Sequence, residues 1–319
     1  MTTLDARPLG TDDILVSAVG LGCNNFGRSG TRTESQEGTT AVIDAAIDAG
    51  VTLLDTADIY GGHGLSETLM GVALRGRRDR VVLATKFGHQ EFDTGLLPGV
   101  PRGSRRYVRA AIDASLERLQ TDYVDLYQLH TPDPHTPIEE TLGALDELAD
   151  EGKIRFSGSS QFDAAQVREA EEVAAREGLA RFVSTQNEYN LLQRAAEAEL
   201  LPTAAELGVG FLPFFPLANG LLTGKFSRDE HPADSRIARQ KRHVLEGAPW
   251  EKIEAFRAFA EARGISMLAA TFGWMLAQPA LSSVIAGATS PEQVRANAAA
   301  SVAWRPTPTD LDEVSRIFT

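Results

Sequence analysis

The stretch LLDTADIYGG, residues 53 to 62, sets an apolar, strand-like start directly against a carboxylate. Leu53 and Leu54 read as a buried strand, Asp55 follows at once, and Tyr60 comes five positions later, before a glycine pair. Burying an unpaired charge is costly, so Asp55 needs either water or a cationic partner. A strand that runs buried and ends at a polar mouth meets both conditions, and a parallel barrel is built of such strands.

Short runs rich in Val, Ile and Leu recur along the chain at 16–22, 51–56, 81–86, 123–130, 154–160, 182–186, 209–214 and 282–287. Between them, 35–50, 65–76, 104–120, 137–152, 162–178, 195–208 and 265–278 carry apolar residues at spacings of three and four, and several end in Gly. This alternation predicts βαβ units and a parallel sheet. Eight strands in a chain of 319 residues fit one domain spanning 1–319, an α/β (β/α)8 TIM barrel. The opening RPLGTDDILVSAV predicts a small β-hairpin across the barrel bottom, and the polar stretches 88–104 and 224–250 predict long loops at its C-terminal mouth.

A formal net charge of -13 argues against nucleic-acid and anionic-membrane partners. Cys23 is the single cysteine, so nothing calls for an oxidising compartment, and no segment reaches the length of a signal peptide core or membrane helix. The expectation is a cytoplasmic protein acting on a small molecule, as a monomer or a homo-oligomer. No metal spacing appears, and VGLGCNNFG fails as a dinucleotide-binding glycine loop because Asn25 stands where the third glycine belongs. Arg239, Lys241, Arg242 and His243 read as a solvated basic face.

Polar residues at strand ends are the candidates for chemistry: Asp55, Lys86, His130, Ser159, Gln161, Gln186 and Asn187, with Tyr60 just beyond Asp55. Singly, each has a bland reading as a cap or turn residue. Together, Asp55, Lys86 and His130 end three consecutive strands, which are neighbours in a barrel. Lys86 answers the charge of Asp55, and an ammionium beside a phenol is expected to lower the Tyr60 pKa from about 10. A neutral His130 would orient a carbonyl oxygen. Two donors on one oxygen suit hydride addition to an aldehyde or ketone, the hydride coming from a cofactor.

GVTLLDTADIYGGHGLSETLMGVAL, VVLATKFG, the run 122–160, PLANGLLTGKF and GATSPEQVRAN together resemble the aldo-keto reductases, nearest to the bacterial and potassium-channel β-subunit-like branches. The resemblance covers nearly the whole chain. It implies a catalytic tetrad of Asp55, Tyr60, Lys86 and His130, with Tyr60 as the proton donor. It implies that Ser160, Gln161, Gln186 and Phe214 hold a nicotinamide, Gln161 standing in place of the usual Asn. Leu217, Gly220, Lys225 and Arg236 match pyrophosphate and adenosine phosphate positions, and Gly287, Thr289, Gln293 and Asn297 match those for adenine and a 2'-phosphate. Ala296 departs from the usual Glu, and Gly287 and Ala288 occupy the place of a Lys-Ser pair. The cofactor expected is NADPH/NADP, with NADH as the alternative. Asn24, Asn25 and Phe26, together with Ile59, Phe87 and the 88–104 loop, are expected to line the pocket for a small carbonyl substrate. The competing functions are an NAD-dependent sugar or polyol dehydrogenase and a cofactor-sensing regulatory subunit with slow turnover.

Overall fold

The structure is a computed structural model that describes residues 4–230, 237 and 241–319. Strands β1 (Ala6–Pro8) and β2 (Leu15–Ser17) form an antiparallel hairpin with Arg7 opposite Val16. The other strands are β3 (Val19–Gly22), β4 (Leu53–Asp55), β5 (Val82–Phe87), β6 (Val124–Leu129), β7 (Ile154–Ser160), β8 (Phe182–Glu188), β9 (Gly210–Phe214) and β10 (Val284–Gly287). They form one parallel eight-stranded sheet in the order β10-β3-β4-β5-β6-β7-β8-β9. The ring closes where Phe211 bridges to Leu281, with the Phe211 N–H donating to Ala280 O at 2.8 Å and Ser282 N–H donating to Phe211 O at 3.0 Å. The expected (β/α)8 TIM-barrel fold is the observed one.

The run 16–22 splits in two. Residues to Ser17 belong to the hairpin and those from Val19 to the barrel, and the Ser17 hydroxyl donates to Val19 O at 2.7 Å across the step. Helices α1 (Gln36–Asp48), α2 (Leu65–Ala73), α3 (Arg105–Leu119), α4 (Ile138–Asp150), α5 (Ala164–Glu177) and α6 (Leu200–Leu207) follow strands β3 to β8 in turn. Their starts are chemically marked: Ser35 accepts from Gly38 N–H, Ser104 from Tyr107 N–H, and Asp163 forms a reciprocal capping box with Gln166. Helices at Trp250–Ala262, Pro291–Ala303 and Pro308–Phe318 lie outside the segments whose periodicity was read as helical. The alanine-rich Pro291–Ala303 carries little amphipathic contrast, which is why its period is weak.

Two apolar clusters hold the barrel. Ile43 and Ala46 of α1, Val108 and Ile112 of α3, and Leu142 and Leu145 of α4 share the outer core with Leu54, Leu83 and Tyr127. Inside the ring, Leu53, Ala84, Leu126, Leu212 and Ile285 pack with Leu9, Ile14 and Val16 of the hairpin. The hairpin therefore plugs the bottom as expected. No helix among the described residues is long and apolar enough to cross a membrane.

Gly10 makes that plug fit. Its φ is +71°, and an added Cβ would stand 1.8 Å from the Val183 carbonyl oxygen. Gly10→Ala is expected to lower unfolding stability by about 2–4 kcal/mol through backbone strain and overpacking. Urea denaturation checks this, and an unchanged midpoint would show that the hairpin does not seal the bottom.

Candidate active site

Strand alternation lifts the polar residues onto one inward layer. Two positions beyond the apolar Leu53, Ala84 and Leu126 come Asp55, Lys86 and Gln128, each at or near its strand's C-terminal end. Lys86 Nζ donates to Asp55 Oδ2 at 2.7 Å and to Thr56 O at 2.9 Å. The other carboxylate oxygen, Oδ1, accepts from Gln128 Nε2 at 3.2 Å and from Gln186 Nε2 at 3.1 Å. The buried carboxylate is thus paired and ligated on both oxygens.

The turn after Tyr60 is made by its glycines. Gly61, Gly62, His63 and Gly64 all have positive φ, a run that glycine adopts cheaply and L side chains rarely do. Ser66 N–H donates to Tyr60 O at 3.1 Å, and the Ser66 hydroxyl bonds Cys23 O and Thr56 Oγ1, each at 2.9 Å. The tyrosine ring is held 5.1 Å from Lys86 Nζ, and its centroid lies 5.9 Å from that of His130 in an edge-on arrangement. All four members of the expected tetrad therefore meet at the mouth.

Their ionisation is set by burial and by one ammonium. Burial raises the Tyr60 pKa, and Lys86 pulls it back without cancelling the rise. This corrects the expectation of a lowered value, which counted the charge and left out desolvation. The phenol is consequently protonated at neutral pH, as a proton donor must be. Burial opposes the charge on Lys86, yet Asp55 and Tyr60 outweigh it and hold its pKa above the usual lysine value. His130 is pushed well below the usual histidine value by burial, then by Lys86 and His89, so its ring is neutral.

A cavity of about 1200 Å³ opens over this layer. Asp55, Tyr60 and His130 line it, as do Asn25, Ile59, Ser160, Gln161, Gln186 and Phe214. So do Leu217, Gly220, Lys225, Gly287, Thr289, Gln293 and Asn297. Arg236 lies outside the described residues. Ser160 Oγ donates to Gln186 O at 2.9 Å, and Gln161 Nε2 donates to His130 O at 3.2 Å, so both side chains brace the layer. Gln293 Oε1 accepts from Thr289 N–H at 2.8 Å.

Phe26 and Phe87 correct the expected substrate pocket. Both are fully buried and do not line the cavity. Since Lys86 points inward, Phe87 must point outward, and its ring stacks on Tyr127 at 4.6 Å in the outer core. Lys241 corrects the basic face in the other direction. It lines the cavity and donates to Asn219 Oδ1 at 3.0 Å, while Arg242 and His243 are exposed as read and Arg239 is outside the described residues. Gln128, Arg28, His89 and Phe92 were not singled out, although Gln128 stands two positions before His130 in the strand alternation, a signal that was there to use.

The parallel barrel thus carries a buried Asp55–Lys86 pair at its mouth, with Tyr60 and a neutral His130 beside it. The aldo/keto reductase family profile matches residues 18–317, and the chain belongs to that family. It is 36% identical over 269 residues to a probable voltage-gated potassium channel subunit beta of Oryza sativa subsp. japonica, covering 81% of this chain and 80% of the relative. It is also 36% identical over 307 residues to the uncharacterized oxidoreductase YqkF of Bacillus subtilis, covering 96% and 94%. A second B. subtilis protein, the uncharacterized oxidoreductase YrpG, is 36% identical over 299 residues, covering 90% and 88%.

Behind the tetrad, Asp58 is buried with Oδ1 lacking a hydrogen-bond partner. Burial and then Glu67 push its pKa up to about 7, against the pull of Arg118. Because the folded value is raised above the ordinary one of about 3.9, the stability this group contributes is full below that value and is lost as pH rises through about 7. Asp58→Asn is expected to remove that loss, gaining about 2–4 kcal/mol over the parent at about pH 8 relative to about pH 5. Urea unfolding at the two pH values measures it, and parallel pH slopes in parent and variant would refute it.

Proposed function

We propose that this chain is a cytoplasmic, NADPH-dependent reductase of small aldehydes or ketones, with Tyr60 as the proton donor. The observation that carries the reading is the meeting of Tyr60 and His130 on the cavity wall, with ring centroids 5.9 Å apart and Lys86 Nζ 5.1 Å from the Tyr60 ring, over the 2.7 Å Lys86–Asp55 pair.

The cavity residues fit a nicotinamide dinucleotide. Its volume of about 1200 Å³ exceeds the roughly 300–1,000 Å³ typical of one small ligand, leaving room for cofactor and substrate. Phe214 offers a ring face, while Lys225, Lys241 and Arg28 give the same cavity cationic groups suited to phosphates. Asn297 is largely buried and lines the cavity, where its side-chain amide would face a ligand. Phe215, Ala218, Asn219 and Gly220 all have positive φ, and turns of this kind present N–H groups to anions. Ser160, Gln161 and Gln186 would flank the nicotinamide, Leu217, Gly220 and Lys225 the pyrophosphate, and Gly287, Thr289, Gln293 and Asn297 the adenosine end.

When bound in its reduced form, the cofactor supplies a hydride to the carbonyl carbon. His130 orients the carbonyl oxygen through a neutral ring N–H. Tyr60 gives its proton to that oxygen as negative charge grows there, and Lys86 stabilises the phenolate left behind. Asp55 keeps Lys86 charged and in place. The similarity to channel subunits is the sole support for a regulatory role, whereas the donor geometry favours turnover.

Tyr60→Phe is expected to cut aldehyde-dependent NADPH oxidation by about 10²–10⁴-fold. Cofactor binding, followed by quenching of protein fluorescence, should survive. Parent-like rates in the variant would remove Tyr60 from the donor role, and equal affinity for NADPH and NADH would remove the preference for the phosphorylated cofactor.

A further inference from the structure

We propose that His89 is a second hydrogen-bond donor to substrate, and that the site therefore selects carbonyl compounds bearing an oxygen on the carbon next to the carbonyl. The proposal rests on the reductase reading.

His89 lies half-buried in the loop after β5, on the wall of the large cavity. Its ring stands edge-on to His130, with centroids 4.7 Å apart and planes at 81°. Phe92 closes the other side, its ring centroid also 4.7 Å from that of His89. The Glu91 N–H donates to His89 Nδ1 at 3.2 Å. A neutral imidazole that accepts on one nitrogen carries its hydrogen on the other, so Nε2 is the donor. Among the described residues, none accepts from it. Burial lowers the His89 pKa, Glu91 opposing and Arg102 adding to the effect, so the ring stays neutral at neutral pH.

Two neutral imidazoles thus stand side by side at the reacting end. His130 serves the oxygen that is reduced. A donor on the adjoining ring is placed for a neighbouring oxygen, whether a second carbonyl or a hydroxyl. A site built to bond an oxygen rejects the analogue that lacks it, because its own donor is then left unpaired. Phe92 gives this corner an apolar wall that suits the rest of a small substrate.

The test compares kcat/KM with NADPH for diacetyl, acetoin and butanone, with butanal as a plain aldehyde, in the parent and in His89→Phe and His89→Gln. Diacetyl and acetoin share the four-carbon frame of butanone and differ in the added oxygen. The ratio of diacetyl to butanone is expected to fall about tenfold in His89→Phe and to recover in His89→Gln, whose amide N–H replaces the lost donor. A matching fall for acetoin shows that a hydroxyl serves as well as a carbonyl, while a fall for diacetyl alone assigns the corner to planar dicarbonyls. An unchanged ratio in both variants, whether the separate rates hold or drop together, overturns the proposal. His89→Gln keeps the comparison open if His89→Phe does not fold. A parent that oxidises NADPH with none of the four compounds, butanal included, overturns the reductase reading itself, and that result is distinct from an unchanged ratio.

Discussion

The bond between Lys86 and Asp55 governs the mouth of this barrel. Its two side chains are 0% and 4% exposed and meet at 2.7 Å. Removing one partner would leave the other charged and without its counter-ion in a buried layer, which costs far more than a surface ion pair contributes. The same ammonium acts on two neighbours with opposite use. It draws the Tyr60 pKa down against burial, and it helps to keep His130 uncharged. Burial keeps the Tyr60 phenol protonated and is the main reason His130 is neutral, and the one cation moderates the first effect and adds to the second. The glycine-built turn at 61–64 has value because it delivers the tyrosine to that cation.

The fold was legible because the strand period and the helix period are local. Val, Ile and Leu runs alternating with three-and-four spacing gave the barrel, and RPLGTDDILVSAV gave the hairpin. Asp55, Lys86 and His130 were legible for the same reason, since each ends a strand. Phe87 was misread although the same alternation placed it outward: if Lys86 faces in, its neighbour cannot. The 88–104 loop was expected on the pocket wall and His89 stands there, but which of its residues face the cavity, and that Lys241 does, was hidden for another reason. Their places depend on how long loops return over the mouth, and loop return leaves no period in a sequence. The Tyr60 ionisation was misjudged because charge can be read from a neighbour's identity, while desolvation is a property of the whole assembly.

The cavity itself is graded. Neutral aromatic and imidazole groups, Tyr60, His130, His89 and Phe92, gather over the ion pair. Lys225, Lys241 and Arg28 come from loops after other strands. An overall acidic chain thus keeps cations on the wall of a single cleft, where low-dielectric walls focus their field.

The closure of the ring has its own consequence. Neighbouring strands from β10 round to β9 are joined by ladders, but β9 and the chain entering β10 meet at the bridge of Phe211 to Leu281. Going round the barrel, the point farthest from this seam lies between β5 and β6, which carry Lys86 and Gln128 and lead into His130. The segments leaving β9 and β10, which carry Leu217, Gly220, Lys225, Thr289 and Asn297, flank the seam. The barrel is therefore lopsided in its pairing: Lys86, Gln128 and His130 lie opposite the seam, while the cavity wall built from the segments after β9 and β10 stands beside the point where a single bridge completes the ring.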